Sequence, residues 1–327
     1  MSAAHLTQST SHRVASLTLG VALTVLAGAS NAQWPDRPIT MVVPYAAGGG
    51  VDNIARIVMP PLAKELGQTI VISNKPGANA NIGSSFVAAA PPDGYTFLVG
   101  ATFLAANRAL MTGLNYDSLT DLAPVSRLGQ SPALLVTSSR LPIHSVKELV
   151  EYGNAHPTET SYASVGVAAL NPLIFVRNTG IKAVPVLYKG GGQALPDLIA
   201  GRVTFMLTPV SEVLPTVEGA SLRALAVTGV ERLKALASVP TMAEQGVADL
   251  TSVIWWGVFA PKDLPEAINV QMSAALDKVL RKPEVIESLS ALSIEAAPLS
   301  GARFADFYRS EIKFYADTAK AFNLKPD

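Results

Sequence analysis

The chain has 327 residues, with 25 Lys+Arg against 25 Asp+Glu and no cysteine. The balanced charge excludes a nucleic-acid or anionic-membrane role built on a basic surface, and the missing cysteines exclude disulfides, thiolate nucleophiles and cysteine-held metals. Charged residues make up 15% and hydrophobic ones 49%, which suits a well-buried α/β core and argues against disorder.

Residues 1–32 read as an export signal. Met1 to Arg13 is polar, Val14 to Ala27 is apolar, and Ser30-Asn31-Ala32 places small residues where a signal peptidase cuts, so cleavage is expected before Gln33. The apolar run is about 14 residues, short of the roughly 20 that a membrane span needs. A retained N-terminal anchor is the alternative.

Beyond Gln33, strand and helix patterns alternate. Residues 39–43 form an apolar strand, and Pro44-Tyr45-Ala46-Ala47-Gly48-Gly49-Gly50 is a glycine loop. A helix over 51–66 follows and ends near Gly67; Pro60 and Pro61 inside it are expected to kink or divide it. A strand over 69–73, a turn over 74–79, a helix over 82–89, the turn Pro91-Pro92-Asp93-Gly94 and a strand over 95–99 complete a first module. This order implies a parallel sheet with right-handed crossovers.

A second module carries strands over 133–137, 160–163, 183–187, 203–207 and 222–227, with helices over 145–154, 173–178, 194–200 and 210–217. A strand over 251–259 is expected to return to the first module. In the helical tail, Phe304, Phe307, Tyr308, Ile312, Tyr315, Ala319 and Phe322 recur at three- and four-residue spacing, an apolar stripe for docking on that module.

Enzyme motifs are missing: there is no G-x-S-x-G, H-E-x-x-H, P-loop or G-x-G-x-x-G. His144 and His156 lie in turn-like polar surroundings without metal-ligand spacing and read as surface residues. No carboxylate pair is placed for acid–base work. The loops suit binding better. A strand, a glycine loop and a helix in that order make an anion site, because the first N–H groups of the helix lack partners and point into the loop. Three such loops occur: 47–52, 162–166 and 189–193, the last with Asp197 in the helix behind it. Each alone is explained as a plain turn. Three together, at the carboxyl ends of strands in two modules, favour a ligand cleft. Asp52 and Asp197 serve equally well as helix caps. Tyr45, Phe103 and Phe175 are candidate apolar walls, with core packing the alternative for each. Trp255 and Trp256 alternate along a strand, one for the core and one for the cleft.

The chain from Trp34 onward resembles the substrate-binding proteins of tripartite tricarboxylate transporters, the Bug family. The resemblance rests on Trp34-Pro35-Asp36-Arg37-Pro38-Ile39, Val43-Pro44-Tyr45-Ala46-Ala47-Gly48-Gly49 with Asp52 and Arg56, Asn74-Lys75-Pro76-Gly77-Ala78, and Pro92-Asp93-Gly94-Tyr95-Thr96. It continues through Tyr162-Ala163-Ser164 with Gly166, Tyr188-Lys189-Gly190 with Asp197, Leu222-Arg223-Ala224-Leu225-Ala226-Val227, Pro240-Thr241-Met242-Ala243-Glu244-Gln245-Gly246 and Trp256-Gly257-Val258-Phe259-Ala260-Pro261.

The resemblance implies a periplasmic, type II binding-protein-like α/β fold of two domains, each a mostly parallel sheet flanked by helices, with the ligand cleft between them. Domain 1 is expected over 33–130 and 251–327, and domain 2 over 131–250. The implied function is capture of a small carboxylate and its delivery to the membrane subunits of a transporter, by a monomer that is no enzyme and needs no cofactor, metal or nucleic acid. Mapped here, Ala47, Gly48, Gly49, Ser164, Val165 and Gly166 would hold the carboxylate, and Lys189, Gly190 and Asp197 would meet the rest of the ligand. Tyr45, Gly50, Asp52 and Thr102 complete the candidate site. Two departures stand out. Gly50-Val51 replaces hydroxyl residues common in relatives, which removes two donors and is expected to make room. Asn171-Pro172-Leu173 running into Ile174-Phe175-Val176 replaces a polar stretch. Both lead to an expected preference for bulky or aromatic carboxylates over citrate. The alternatives are a ligand sensor for a membrane signalling protein and an exported hydrolase using Ser164 or Lys189.

Overall fold

The computed structural model describes residues 34–165, 170–188, 190–247, 250 and 253–321. The export-signal reading and the placements of Gly166, Lys189 and Phe322 lie outside the described residues.

The described residues form ten strands and ten α-helices in an α/β fold. In the first part, β1 (Ile39–Val43) pairs in parallel with β2 (Ile70–Asn74) on one side and β3 (Thr96–Ala101) on the other. The crossovers are α1 (Gly50–Leu66) and α2 (Asn81–Ala88); α3 (Phe103–Leu110) leaves the end of β3. α1 ends at Gly67, whose left-handed φ of 68° lets its N–H turn back to Ala63 O. Pro60 and Pro61 do not divide α1. The carbonyls that they leave without helical donors belong to Arg56 and Ile57, an exposed and a half-buried position.

β4 (Leu122–Ser138) spans 17 residues and joins two sheets. Its first part, to Pro132, pairs antiparallel with β9 (Val253–Pro261), and Ser126–Gln130 also pairs with β10 (Glu295–Ser300). From Ala133 onward it pairs antiparallel with β7 (Phe205–Pro209) and β8 (Leu222–Val227). Beyond β7 lie β5 (Ser161–Val165) and β6 (Val184–Tyr188), all three parallel. The strand order is therefore β2-β1-β3-β9-β4-β7-β5-β6. β1, β2 and β3, joined by helices, run parallel, as do β5, β6 and β7, whereas β4, which a helix joins to β5, runs antiparallel to that second group. β4 leaves the first sheet and β9 returns to it, and they run in opposite directions.

α4 (Val146–Ala155) is capped by Ser145, whose hydroxyl accepts the Glu148 N–H at 3.1 Å. α5 (Leu170–Thr179), α6 (Gly191–Ile199) and α7 (Val210–Glu218) flank the second sheet. α8 (Glu266–Leu280), α9 (Pro283–Ser290) and α10 (Gly301–Ala321) return to the first. In α10, Phe304, Tyr308, Ile312, Tyr315 and Ala319 are buried, as the stripe implies. Phe304, Phe307 and Tyr308 pack edge-on to Trp255 with ring centroids 5.6–6.1 Å apart. The apolar interior falls into two clusters. The larger lies mainly under the first sheet, and a smaller one around Leu134, Val136, Met206 and Val227 lies under the second. Among the described residues, no helix is long and apolar enough to cross a membrane.

Candidate functional site

The carboxyl ends of β1, β3, β5 and β6 carry most of the expected residues that the structure describes. β1 ends at Val43 and leads into the glycine loop; Gly49 caps α1 in extended geometry. Gly48 has φ 88°, a conformation that a side chain would strain. Its N–H donates to Asp52 Oδ2 at 2.9 Å. The Asp52 side chain also accepts from Arg56 Nε at 2.6 Å and from Asn74 Nδ2 at 3.0 Å, and the residue is 1% exposed. Burial raises the carboxyl's pKa, but these three donors outweigh it and hold the group below its ordinary value. Asp52 is thus the strut that shapes the loop.

Tyr45 packs edge-on against Phe103, centroids 5.5 Å apart, and its carbonyl accepts from Asn74. Burial, reinforced by the charge of Glu212, pushes the Tyr45 phenol above its ordinary range. Thr102 stands at the end of β3, 8% exposed, and caps α3 without a side-chain bond. On the second sheet, Ser164 lies in β5, 5% exposed and in register with Leu187, and Val165 pairs with Tyr188. Gly190 caps α6. Asp197 accepts the Tyr188 hydroxyl at 2.7 Å and Arg202 Nε at 2.8 Å, so it ties the end of β6 to the turn after α6. Phe175 turns inward against Phe205, centroids 5.5 Å apart, and is core. His144 and His156 are exposed, and no described residues form a metal-holding cluster.

Beside the start of α1 stand residues that no sequence pattern marks. α7 begins after Pro209, and its first turn presents Ser211 and Glu212. Thr208 donates its hydroxyl to Glu212 Oε2 at 2.7 Å. A methyl group placed on Gly50 would lie 3.5 Å from Glu212 Oε1, 3.5 Å from Trp256 Cζ2 and 3.7 Å from Ser211 Oγ. A methyl group on Gly191 would collide with Glu212 Oε2. The amino ends of α1, α6 and α7 therefore meet at one carboxylate. The room expected beside Gly50 is taken by Glu212, Ser211 and Trp256. Burial, opposed by the Thr208 hydroxyl and the Gly50 N–H, raises the pKa of Glu212. Trp256 borders this site, while Trp255 faces α10 and donates to Glu311 Oε2 at 2.8 Å. Residues 208–211 lie where β7 runs directly into α7, a strand end where a ligand-facing residue belongs by the same rule, but no glycine marks it.

A profile of the family described as "Tripartite tricarboxylate transporter family receptor" matches residues 54–324. A protein from the tcbD-tcbE intergenic region of Pseudomonas sp. strain P51 is 34% identical over 300 residues, covering 89% of each chain. MatC of Rhodopseudomonas palustris, solved with bound malate, is 30% identical with a TM-score of 0.81, over 87% of this chain and 99% of its own. An R. palustris protein solved with adipate is 32% identical with a TM-score of 0.86, over 90% of this chain and all of its own.

Proposed function

The chain belongs to the tripartite tricarboxylate transporter receptor family, and from that premise we propose that it captures a small carboxylate between two domains and passes it to the membrane subunits of such a transporter. The family is one of receptors, not enzymes. The observation that carries the reading is the convergence of helix amino ends on the gap between the sheets. Backbone N–H groups and helix dipoles there favour an anion without a formal positive charge. Relatives solved with malate and adipate support the same ligand class.

In this reading the lobes, 33–130 with 251–327 and 131–250, close on the ligand because it bridges them and binds the closed form better. The amides of Ala47 and Gly49 and the Ser164–Gly166 loop receive the carboxylate, while the Gly48 N–H, bonded to Asp52, holds the turn instead of the ligand. Lys189, Gly190 and Asp197 bound the far side, with Asp52 shaping the near loop and Gly50, Thr102 and Tyr45 lining it. The preference for a bulky or aromatic carboxylate, the finer part of this proposal, rests on the apolar replacement at 171–176 alone, since the space beside Gly50 is filled and Trp256 is buried. The protein acts as a periplasmic monomer after cleavage before Gln33.

A thermal-shift screen of Gln33–Asp327 against aliphatic, amino-acid and aromatic carboxylates tests this. A true ligand at a hundredfold excess over its dissociation constant stabilises the fold by about 2.7 kcal/mol. Tight citrate binding with no response to aromatic acids removes the aromatic preference, and no shift across the panel removes the carboxylate reading. For the transport role, deletion of the gene is expected to abolish uptake of the identified acid; lost induction with intact uptake overturns it.

A further inference from the structure

Glu212 places a carboxylate of the protein's own at the starts of α1 and α6, next to the loop that the carboxylate receptor reading assigns to the ligand. Its Oε2 is held by Thr208 at 2.7 Å and lies against Gly191 at the start of α6. Its Oε1 lies against Gly50 at the start of α1. Burial, the Thr208 hydroxyl and the Gly50 N–H act on it, and no lysine or arginine among the described residues joins them. Beside it, Ser211 is 5% exposed, and its Oγ has no hydrogen-bond partner. A buried hydroxyl without a partner is destabilising, and this one lies 3.7 Å from the methyl position of Gly50. It is an unused donor beside the start of α1.

The charges set a limit on a ligand there. Three helix ends, each worth roughly half a positive charge, offset about one and a half negative charges. Glu212 with one ligand carboxylate already exceeds that, and the excess needs a donor between them. A second carboxylate in the donor's place would face Glu212 with nothing to compensate it. We infer that Glu212 is a specificity-determining residue that restricts the cleft to monocarboxylates carrying a hydrogen-bond donor, a hydroxyl or an ammonium, next to the carboxylate. Ser211 donates to the carboxylate itself, and Glu212 accepts from the neighbouring donor.

This inference rests on the carboxylate receptor reading, and one calorimetric experiment separates the two. Two matched series are titrated into the mature protein: phenylacetate, mandelate, phenylglycine and phenylmalonate, and then butyrate, 2-hydroxybutyrate, 2-aminobutyrate and ethylmalonate. The wild type is expected to bind a hydroxy or amino member at least tenfold tighter than its parent acid, and the malonate more weakly than the parent. Glu212→Gln, whose fold is checked by its melting curve, is expected to compress both gaps below threefold. Ser211→Ala is expected to weaken every member of a series by a similar factor and leave the ranking intact. Equal ranking in wild type and Glu212→Gln, or a wild type that prefers the malonate, overturns the role of Glu212 while the receptor reading stands. If Glu212→Gln does not fold, the wild-type ranking together with Ser211→Ala decides. If no variant binds any member, both readings fall.

Discussion

Asp52, the third residue of α1, accepts the N–H of Gly48 at 2.9 Å and so pins the loop from which its own helix starts. The carboxylate is a feature of the first turn that the helix dipole favours, and Arg56, one turn on, completes the pair at 2.6 Å. Asp52→Asn keeps the shape but loses the charge. A buried carboxylate with three donors loses charge-assisted bonds, so the change is expected to cost about 2–4 kcal/mol. Chemical denaturation of the two proteins measures it. A cost below about 0.5 kcal/mol would mean that Asp52 is no strut.

Gly191 has no room for a side chain, because Glu212 Oε2 occupies it. Gly191→Ala is expected to push Glu212 away from the start of α6. A destabilisation of about 1–3 kcal/mol, typical of overpacking, should accompany altered carboxylate affinity. Gly192→Ala, with open space around it, is the control and should change neither.

Trp255 Nε1 donates to Glu311 Oε2 across β9 and α10 at 2.8 Å. Burial raises the Glu311 carboxyl, and the Trp255 bond and Arg127 oppose this. Trp255→Phe leaves the carboxyl without its donor and reduces the packing against Phe304, Phe307 and Tyr308. The expected cost is about 2–4 kcal/mol. A melting temperature unchanged from wild type would contradict this.

Glu212 also gives the fold a pH dependence of known sign. Its folded pKa is raised, so its contribution to stability is fully present below the unfolded carboxylate value of about 4.3 and is lost as pH rises through the folded value. The groups facing it are the Thr208 and Ser211 hydroxyls, the Gly50 N–H and the Tyr45 phenol. Glu212→Gln removes this component. The gain in melting temperature from the substitution should therefore grow as pH rises from about 4 toward neutrality. A difference independent of pH would show that Glu212 has the same pKa folded and unfolded.

Local chemistry alone determined much of this protein. Hydrophobic runs mark β1, β3 and β8, a serine cap marks α4, and three- and four-residue spacing marks the buried stripe of α10, because each signal acts between residues close along the chain. The glycine loop before α1 was legible for the same reason, as a backbone conformation that few residues adopt.

Long-range pairing decided the rest. The first part of β4 contains Pro124, Gly129 and Pro132, which read as breakers, yet β9 and β10 hold it extended with register shifts that absorb them. β10, Glu295–Ser300, has little strand propensity and exists because the edge of β4 receives it, with Gln130 donating to Glu295 at 2.9 Å. The site divides in the same way. Gly48, Gly49 and Asp52 announce an anion loop by their spacing, whereas Glu212 and Ser211 look like an ordinary first turn of a helix. Only the return of β9 and the crossing of β4, which set α7 opposite α1, bring Glu212 to Gly50 across 162 positions of chain. No local pattern records that contact, because its energy depends on which surfaces the folded sheets bring together.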